Sequence, residues 1–442
     1  MNSDSTESKK KIEDGIDAKS AAILEFGKML LSCGAGGYRV KAALARAAKS
    51  LGLTKFESHV SMRHIMSTSW EGDVSHTHFT EQRKTGVNVE KLDRLMGFCN
   101  QLHQNMTVAE FRRGLRKVSS NDWHYRVWIT VIASAIACAG FCFLNGGYTV
   151  ECSAVFFAAG FGQLTRKFLL KRGYAHFLVW IMCAVVSTVI YIGLLDLYEY
   201  LHWAGVYTHE SGLASAILYL IPGFPLTTAM LDWVRGDYQS AMSRFGYCMV
   251  VIGSAGLSVW AVCHIAQWNI DHPALYELDP LVKTCLRVFC SFVAAYGFAV
   301  LFNAPWKVSL AAGIIGASAN TGRLLGQEYA NIPWQAAVGL AALLIGILAN
   351  LLAWKTEYSR VSLSVPAVVI MIPGVPFYRA LVAVNEGKIG NALEPLADVF
   401  LVVISIGFGL AIARILLDPA WRVDTDTSNL PRTLQRKPSE KV

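Results

Sequence analysis

The sequence predicts an α-helical polytopic membrane protein. Ten transmembrane helices form two inverted five-helix repeats, preceded by a small α+β cytoplasmic N-terminal domain. Three observations lead there. Ten apolar segments follow one another between about residues 125 and 417, each near the roughly 20 residues that a helix needs to cross a bilayer. Two of them are interrupted midway by one motif, Ile221-Pro222-Gly223-Phe224-Pro225 and Ile372-Pro373-Gly374-Val375-Pro376, at an offset of 151 residues. Charged residues make up only 16% of the 442 and crowd into the first 125 residues, the last 25 and short loops.

This distribution excludes most other classes. A chain that is 53% hydrophobic, with its charges at the ends, does not read as a soluble protein. The net charge of +8 reads as a loop bias, and no basic patch interleaved with aromatics points to a nucleic acid. The ten cysteines are scattered without a CxxC pair; Cys138 and Cys142, one turn apart in a span, read as small apolar residues in reducing surroundings. Met1 to Lys19 are polar and charged and lack the apolar core of a signal peptide, so residues 1–19 predict a disordered cytoplasmic N-terminus. No cofactor is implied, and the chain reads as a non-enzyme.

The front domain spans residues 20–122. Ala21 to Ser32 and Tyr38 to Leu51 predict helices split by Gly34-Ala35-Gly36-Gly37, a flexible junction by composition. Val40, Leu44, Ala47, Ala48 and Leu51 fall on one face of the second helix. The period then changes: Phe56, Val60, Met62, Ile65 and Met66 lie among polar residues, Glu71-Gly72-Asp73 is a turn, and Val74 to Glu81 is a further strand. Asn88 caps a helix running to about Gln104, and Thr107-Val108-Ala109-Glu110 is a capping box for a last helix ending near Val118. The domain carries His59, His64, His76 and His78, with His76 and His78 on one face of a strand. No carboxylate or cysteine completes a ligand set at a recognisable spacing, and surface or packing histidines explain them; zinc, or hydrolysis with Ser58, Ser61 or Ser75 as nucleophile, stays as the alternative.

Leu30-Leu31-Ser32-Cys33-Gly34-Ala35-Gly36-Gly37-Tyr38-Arg39-Val40, with the helix to Leu51-Gly52-Leu53, resembles the opening signature of the bacterial threonine/serine exporter family. The Glu90-Lys91-Leu92 helix is similar to the segment before that family's membrane part. One departure is Gly36, where the family usually carries an acidic residue. The resemblance covers residues 20 to 417 and implies two five-span units, here fused, that export threonine and serine on the proton gradient. Related two-chain systems look like dicarboxylate exporters.

The membrane part divides into a first repeat, 123–268, and a second, 269–417, followed by a disordered cytoplasmic tail, 418–442. Shifting by 151 residues places Pro222 on Pro373, Gly223 on Gly374, Pro225 on Pro376, Gly236 on Gly387, Ala241 on Ala392 and Gly256 on Gly407. An odd number of spans per copy makes successive copies cross the bilayer in opposite senses, the plan of many secondary transporters. Arg166, Lys167, Lys171, Arg172, Arg235, Arg244, Lys355, Arg360, Arg414 and Arg422 fall on one side. Asp196, Glu199, Glu210, Asp271, Glu277 and Asp279 fall on the other. This bias places both termini in the cytoplasm and the chain in the inner (plasma) membrane, as a multi-pass protein.

A proline inside a span frees backbone groups that lipid cannot satisfy, so such breaks persist where they face protein or a wet cavity. The restarting helices offer N–H groups and a positive dipole end to a substrate carboxylate. The candidate substrate-binding residues are Pro222, Gly223, Thr227, Thr228, Asn320, Thr321, Pro373, Gly374 and Arg379, with Asp398 as proton carrier. Gln163, Ser318 and Asn350 are further polar residues within spans. The competing reading makes both prolines packing kinks and Asp398 interfacial. The functional reading is proton-coupled export of small amino acids, with a dicarboxylate as alternative substrate, which Arg379 favours. A channel, or a membrane-anchored sensor or hydrolase acting through the front domain, are the alternatives of other classes. The implied partners are the small-molecule substrate, protons and the lipid bilayer; a homo-oligomer stays open.

Overall fold

In the computed structural model the described residues are 15–83, 86–120, 123–202, 210–268, 278–356, 358–385 and 387–422. The tail from 423 and the first 14 residues, expected to be disordered, lie outside them, as do Asp271 and Glu277. The chain divides into two units. One holds residues 1–123, 231–244 and 414–442; the other holds 124–230 and 245–413.

The first unit opens with α1 (Ile16–Ser32) and α2 (Gly37–Ser50). Helix α1 starts at Ile16, inside the stretch 1–19 that composition marks as disordered. Asp17 favours the positive end of the first turn, and Ser20 and Ile23 behind it are fully buried. Strands β1 (Lys55–Val60), β2 (His64–Glu71) and β3 (Val74–Glu81) form one antiparallel sheet in that order. Gly72, at φ +62°, makes the β2–β3 turn, a conformation that costs glycine little. Helix α3 (Val89–Gln101) is capped by the Asn88 side chain, which accepts from Lys91 N–H, and α4 (Val108–Ser119) by Thr107, which accepts from Glu110 N–H. Phe26, Phe98 and Phe111 meet edge to face and fill the core between these helices.

The second unit is helical. Its elements are α5 (Val127–Leu144), α6 (Thr149–Lys171), α7 (His176–Tyr200), α8 (Glu210–Ala216), α9 (Gly223–Val234), α10 (Tyr238–Ile265), α11 (Pro280–Leu301), α12 (Trp306–Tyr329), α13 (Trp334–Lys355), α14 (Arg360–Val369), α15 (Gly374–Asn385) and α16 (Ile389–Leu417). The ends of α9, α10 and α16 belong to the first unit.

Ten spans are expected from apolarity. Among the described residues six helices are long and apolar enough to cross a membrane: α5, α7, α10, α11, α13 and α16. The bent pair α14–α15 makes a seventh if counted as one. Two long helices, α6 and α12, are not among these six, and both carry charges. Helix α6 carries Glu151, Arg166, Lys167 and Lys171, and α12 carries Lys307, Arg323 and Glu328. Helix α8 has only seven described residues and is separated from α9 by the Pro222 break. The chain is thus a multi-pass helical membrane protein.

Candidate functional site

Both Pro-Gly motifs interrupt helices. Before Pro222, α8 tightens into a single 3-10 turn, Leu218–Leu220, and α9 restarts at Gly223. Before Pro373, α14 ends at Val369, and α15 restarts at Gly374 with a bend of 52°. The local hydrogen bonding matches at the two motifs. Gly223 N–H donates to Ile221 O (2.8 Å), and Gly374 N–H donates to Ile372 O (2.9 Å). Leu226 N–H donates to Pro222 O, and Phe377 N–H to Pro373 O. Pro225 and Pro376 have no N–H to give. Among the described residues, Phe224 N–H and Val375 N–H have no partner. The expected cradle of several N–H groups is therefore one per restart.

The two breaks meet. A Cβ added to Gly223 would lie 2.9 Å from both Ile372 Cδ1 and Val369 Cγ2; one on Gly374 would lie 3.2 Å from Ile221 Cδ1 and 3.5 Å from Leu218 Cδ1. Ile221 shifted by 151 residues is Ile372, and Leu218 is Val369. A second pair obeys the same rule: a Cβ on Gly256 would lie 2.7 Å from Leu381, and one on Gly407 would lie 2.8 Å from Met230. Met230 shifted by 151 is Leu381. Two-fold relations have this signature, in which i touches j′ and i′ touches j. Beside the breaks lies a cavity of about 20 Å³ lined by Ile217, Ile221, Ile252, Gly256, Gly374 and Phe377, among others. That is room for about one water.

Four of the other expected residues, Thr227, Thr228, Asn320 and Asp398, have side-chain hydrogen bonds of their own. Thr227 and Thr228 are buried, and their hydroxyls donate back to Gly223 O (2.9 Å) and Phe224 O (3.1 Å). Asn320 is fully buried; its amide donates to Ser291 Oγ (2.8 Å) and accepts from Arg323 Nε (2.9 Å). Thr321 Oγ1 is buried without a hydrogen bond, as are Gln163 Oε1 and the Asn350 amide. Asp398 is half-buried and accepts from Gln335 Nε2 (2.9 Å). Arg379 is exposed. The structure thus joins the two breaks to each other, while Asn320 and Asp398 lie in polar groups of their own.

Two fully buried carboxylates escape the sequence reading. Glu151, in the first turn of α6, accepts from Tyr148 N–H (2.8 Å) and Tyr191 OH (3.3 Å) and is fully buried. A capping box is the local signal for it. Asp232 in the first unit is also fully buried. It accepts from Gly37 N–H (2.9 Å), Tyr38 N–H (3.2 Å) and Ser240 Oγ (3.0 Å), and Arg244 Nε lies 3.3 Å away. Arg244 also donates to Ala35 O, and Lys41 pairs with Asp237 at 3.0 Å. The carboxylate therefore caps α2 from 195 residues away. This explains the glycines. A Cβ on Gly37 would lie 2.1 Å from Ser240 Oγ, and one on Gly36 would lie 3.0 Å from Asp232 Oδ1. The Gly34–Gly37 link is a packed seat for Asp232, where composition suggests a flexible joint. An acidic side chain at position 36 would crowd the Asp232 carboxylate and set two like charges side by side. Burial pushes the neighbouring Tyr38 phenol up, but the Arg39 and Arg414 guanidiniums outweigh it and hold it below its ordinary value.

Comparison with known proteins adds the family. A family described as "Putative threonine/serine exporter" matches residues 21–266, and one described as "Threonine/Serine exporter, ThrE" matches residues 287–416. The chain is 25% identical over 253 residues to the "Probable succinate transporter subunit YjjP" of Escherichia coli, covering 56% of this chain and 93% of that protein. It is 22% identical over 421 residues to the "Probable threonine/serine exporter" of Mycobacterium tuberculosis, covering 90% of this chain and 76% of the relative. A "Threonine/serine exporter" of Corynebacterium glutamicum is 24% identical over 248 residues, 54% of this chain and 49% of the relative. No solved structure matches.

Proposed function

The chain belongs to the threonine/serine exporter family, and from that membership we propose that it is a secondary transporter exporting threonine and serine across the plasma membrane in exchange for protons. The observation that carries the mechanism is the reciprocal packing of the two breaks. It supports two five-element copies: α5, α6, α7, α8–α9 and α10, then α11, α12, α13, α14–α15 and α16. On this reading α6 and α12 also cross the membrane, their charged ends lying at its surface, which makes ten crossings with both termini cytoplasmic. Residues 20–122 form the cytoplasmic domain.

The substrate site lies between Pro222-Gly223 and Pro373-Gly374. Phe224 N–H and Val375 N–H receive the substrate carboxylate, each at the positive end of a helix dipole. Thr227, Thr228, Asn320, Thr321 and Arg379 supply side-chain contacts as the site opens. Asp398 carries the proton. A cavity of about 20 Å³ is too small for an amino acid, so the breaks must separate for substrate to enter.

Likeness over 93% of a succinate transporter subunit supports a second reading, dicarboxylate export. Proteoliposomes loaded with labelled threonine, serine or succinate distinguish the two. Efflux of threonine or serine driven by an inward proton gradient is expected. Succinate efflux alone selects the second reading, and no gradient-dependent efflux of any of the three refutes both.

A further inference from the structure

The sheet of the first unit carries a side-chain cluster that the transport reading does not use. Strand β3 places alternate residues on one face, so His76 and His78 point the same way, with ring centroids 4.3 Å apart. Their register partners on β2 are Ser69 and Ser67. Helix α1 lies over this face, because Ser20 Oγ and Ser69 Oγ, both fully buried, share a hydrogen bond of 2.8 Å. Lys19 pairs with Glu71 at 2.6 Å beside them. Asp17 stands three residues before Ser20, on the same side of the helix. This brings Asp17 Oδ1 to 2.9 Å from His78 Nε2 and 3.3 Å from His76 Nε2.

We propose that Asp17, His76 and His78 bind one first-row divalent transition metal ion of the zinc or cobalt type. The donor chemistry fits: two imidazole nitrogens and a carboxylate oxygen suit zinc and its neighbours. The spacing fits too. Zinc–ligand bonds of about 2.0–2.1 Å put tetrahedral donors roughly 3.4 Å apart, and the three donor atoms here all lie within 4.8 Å of one another. The side chains of His76, His78 and Asp17 are 41%, 25% and 73% exposed, so an ion can enter from solvent without unfolding. Three protein donors leave a position open for water or a small oxygen ligand, as in zinc sites that bind exchangeable ligands. His78 also lines a cavity of about 550 Å³, together with Glu25, Lys28, Ser32 and Gln82. The ion site and this cavity therefore share a residue.

The competing account is that both imidazoles donate N–H to one carboxylate oxygen, with no ion. The test uses the full chain, purified in detergent without a histidine tag and stripped with a chelator. Titration with Co²⁺ is expected to give one equivalent per chain, with visible ligand-field bands that Zn²⁺ abolishes. Apparent affinity should fall at least tenfold in His78→Ala and in Asp17→Asn, and stay unchanged in His59→Ala and His64→Ala. Absence of uptake by the wild type overturns the proposal. So does uptake that survives in the His76→Ala/His78→Ala double variant, since binding then resides elsewhere. Circular dichroism matching the wild type shows that a loss of binding is not a loss of fold.

Discussion

Replacing Asp232 with alanine tests how the sequence holds its first unit together. The substitution removes the carboxylate that sits 3.3 Å from Arg244 Nε, where the two side chains are 4% and 0% exposed. It also strips the acceptor from Gly37 N–H and Tyr38 N–H at the start of α2. Breaking a buried ion pair from one side costs about 3–5 kcal/mol, because the remaining charge stays desolvated. Each uncapped, buried N–H costs roughly 1–3 kcal/mol more. The terms overlap because one carboxylate serves all of them, so we take about 3–5 kcal/mol as the loss, localised at α2. Hydrogen exchange read by mass spectrometry on peptides covering residues 37–50 reports it directly. At about 1.4 kcal/mol per tenfold, exchange should speed up roughly 100- to 4,000-fold where opening is at equilibrium. Arg244→Ala should produce a similar loss, and the double variant far less than their sum, since the second removal takes away an already uncompensated charge. Protection of residues 37–50 unchanged within threefold in Asp232→Ala, or additive losses in the double variant, would refute the assignment of Asp232 as the cap.

Other expectations follow from the same geometry. Gly223→Leu and Gly374→Leu each drive a side chain into the opposite break, where a Cβ alone already approaches within 2.9 Å and 3.2 Å. Both should insert into the membrane and lose threonine efflux, the strain costing about 1–3 kcal/mol; normal flux in either separates the breaks from the transport path. Asp398→Asn should abolish the dependence of efflux on the proton gradient while downhill exchange continues. If Glu151→Gln does this instead, the proton carrier is Glu151. Burial pushes the Cys99 thiol up to about 11, so at pH 8 only about one molecule in a thousand is thiolate. Maleimide should spare Cys99 in the folded chain and label it in denaturant; fast labelling without denaturant contradicts the packed core around it.

Local chemistry was legible in the sequence, and long-range pairing was not. Asn88 and Thr107 cap helices because a cap acts on residues two or three positions away. The buried face of α2 follows from helical period alone. The break motifs could be paired because both read Ile-Pro-Gly-x-Pro at a fixed offset of 151 residues, and Gly236 and Gly387, at the same offset, share φ +74°. Asp17 could not be paired with His78, 61 residues away, because nothing in either neighbourhood marks the other. Asp232 stands 195 residues from Gly37, and its role is written in the glycines that make room for it. Part of the span count turns on helices α6 and α12, where Arg166 and Lys167, or Arg323 and Glu328, lower the apolarity of a helix whether it crosses the bilayer or not. Of the candidate site, the frame was legible and the small number of free N–H groups was not. Pro225 and Pro376 remove donors that a generic helix start would offer.

The asymmetry between the copies gives a last prediction. Asp232, Asp237, Ser240 and Arg244 shift by 151 residues onto Ala383, Lys388, Asn391 and Pro395. The polar cap on α2 therefore belongs to one copy only. Helix α9 carries the break at Gly223 and the cap at Asp232, nine residues or about 14 Å along one helix. Any conformational exchange that moves the Asp232 end of α9 must move or break this anchor, whereas α15 has Ala383 at the matching position. If the proposed transporter exchanges between two states related by the inverted repeat, the anchor makes them unequal in energy. Asp232→Asn keeps the side-chain shape and removes the charge. It should change the rate of export while leaving the preference among threonine, serine and succinate as in the wild type. Competition between labelled substrates in proteoliposomes measures both quantities. A changed preference at an unchanged rate would mean that Asp232 acts on the site itself and not on the balance of states.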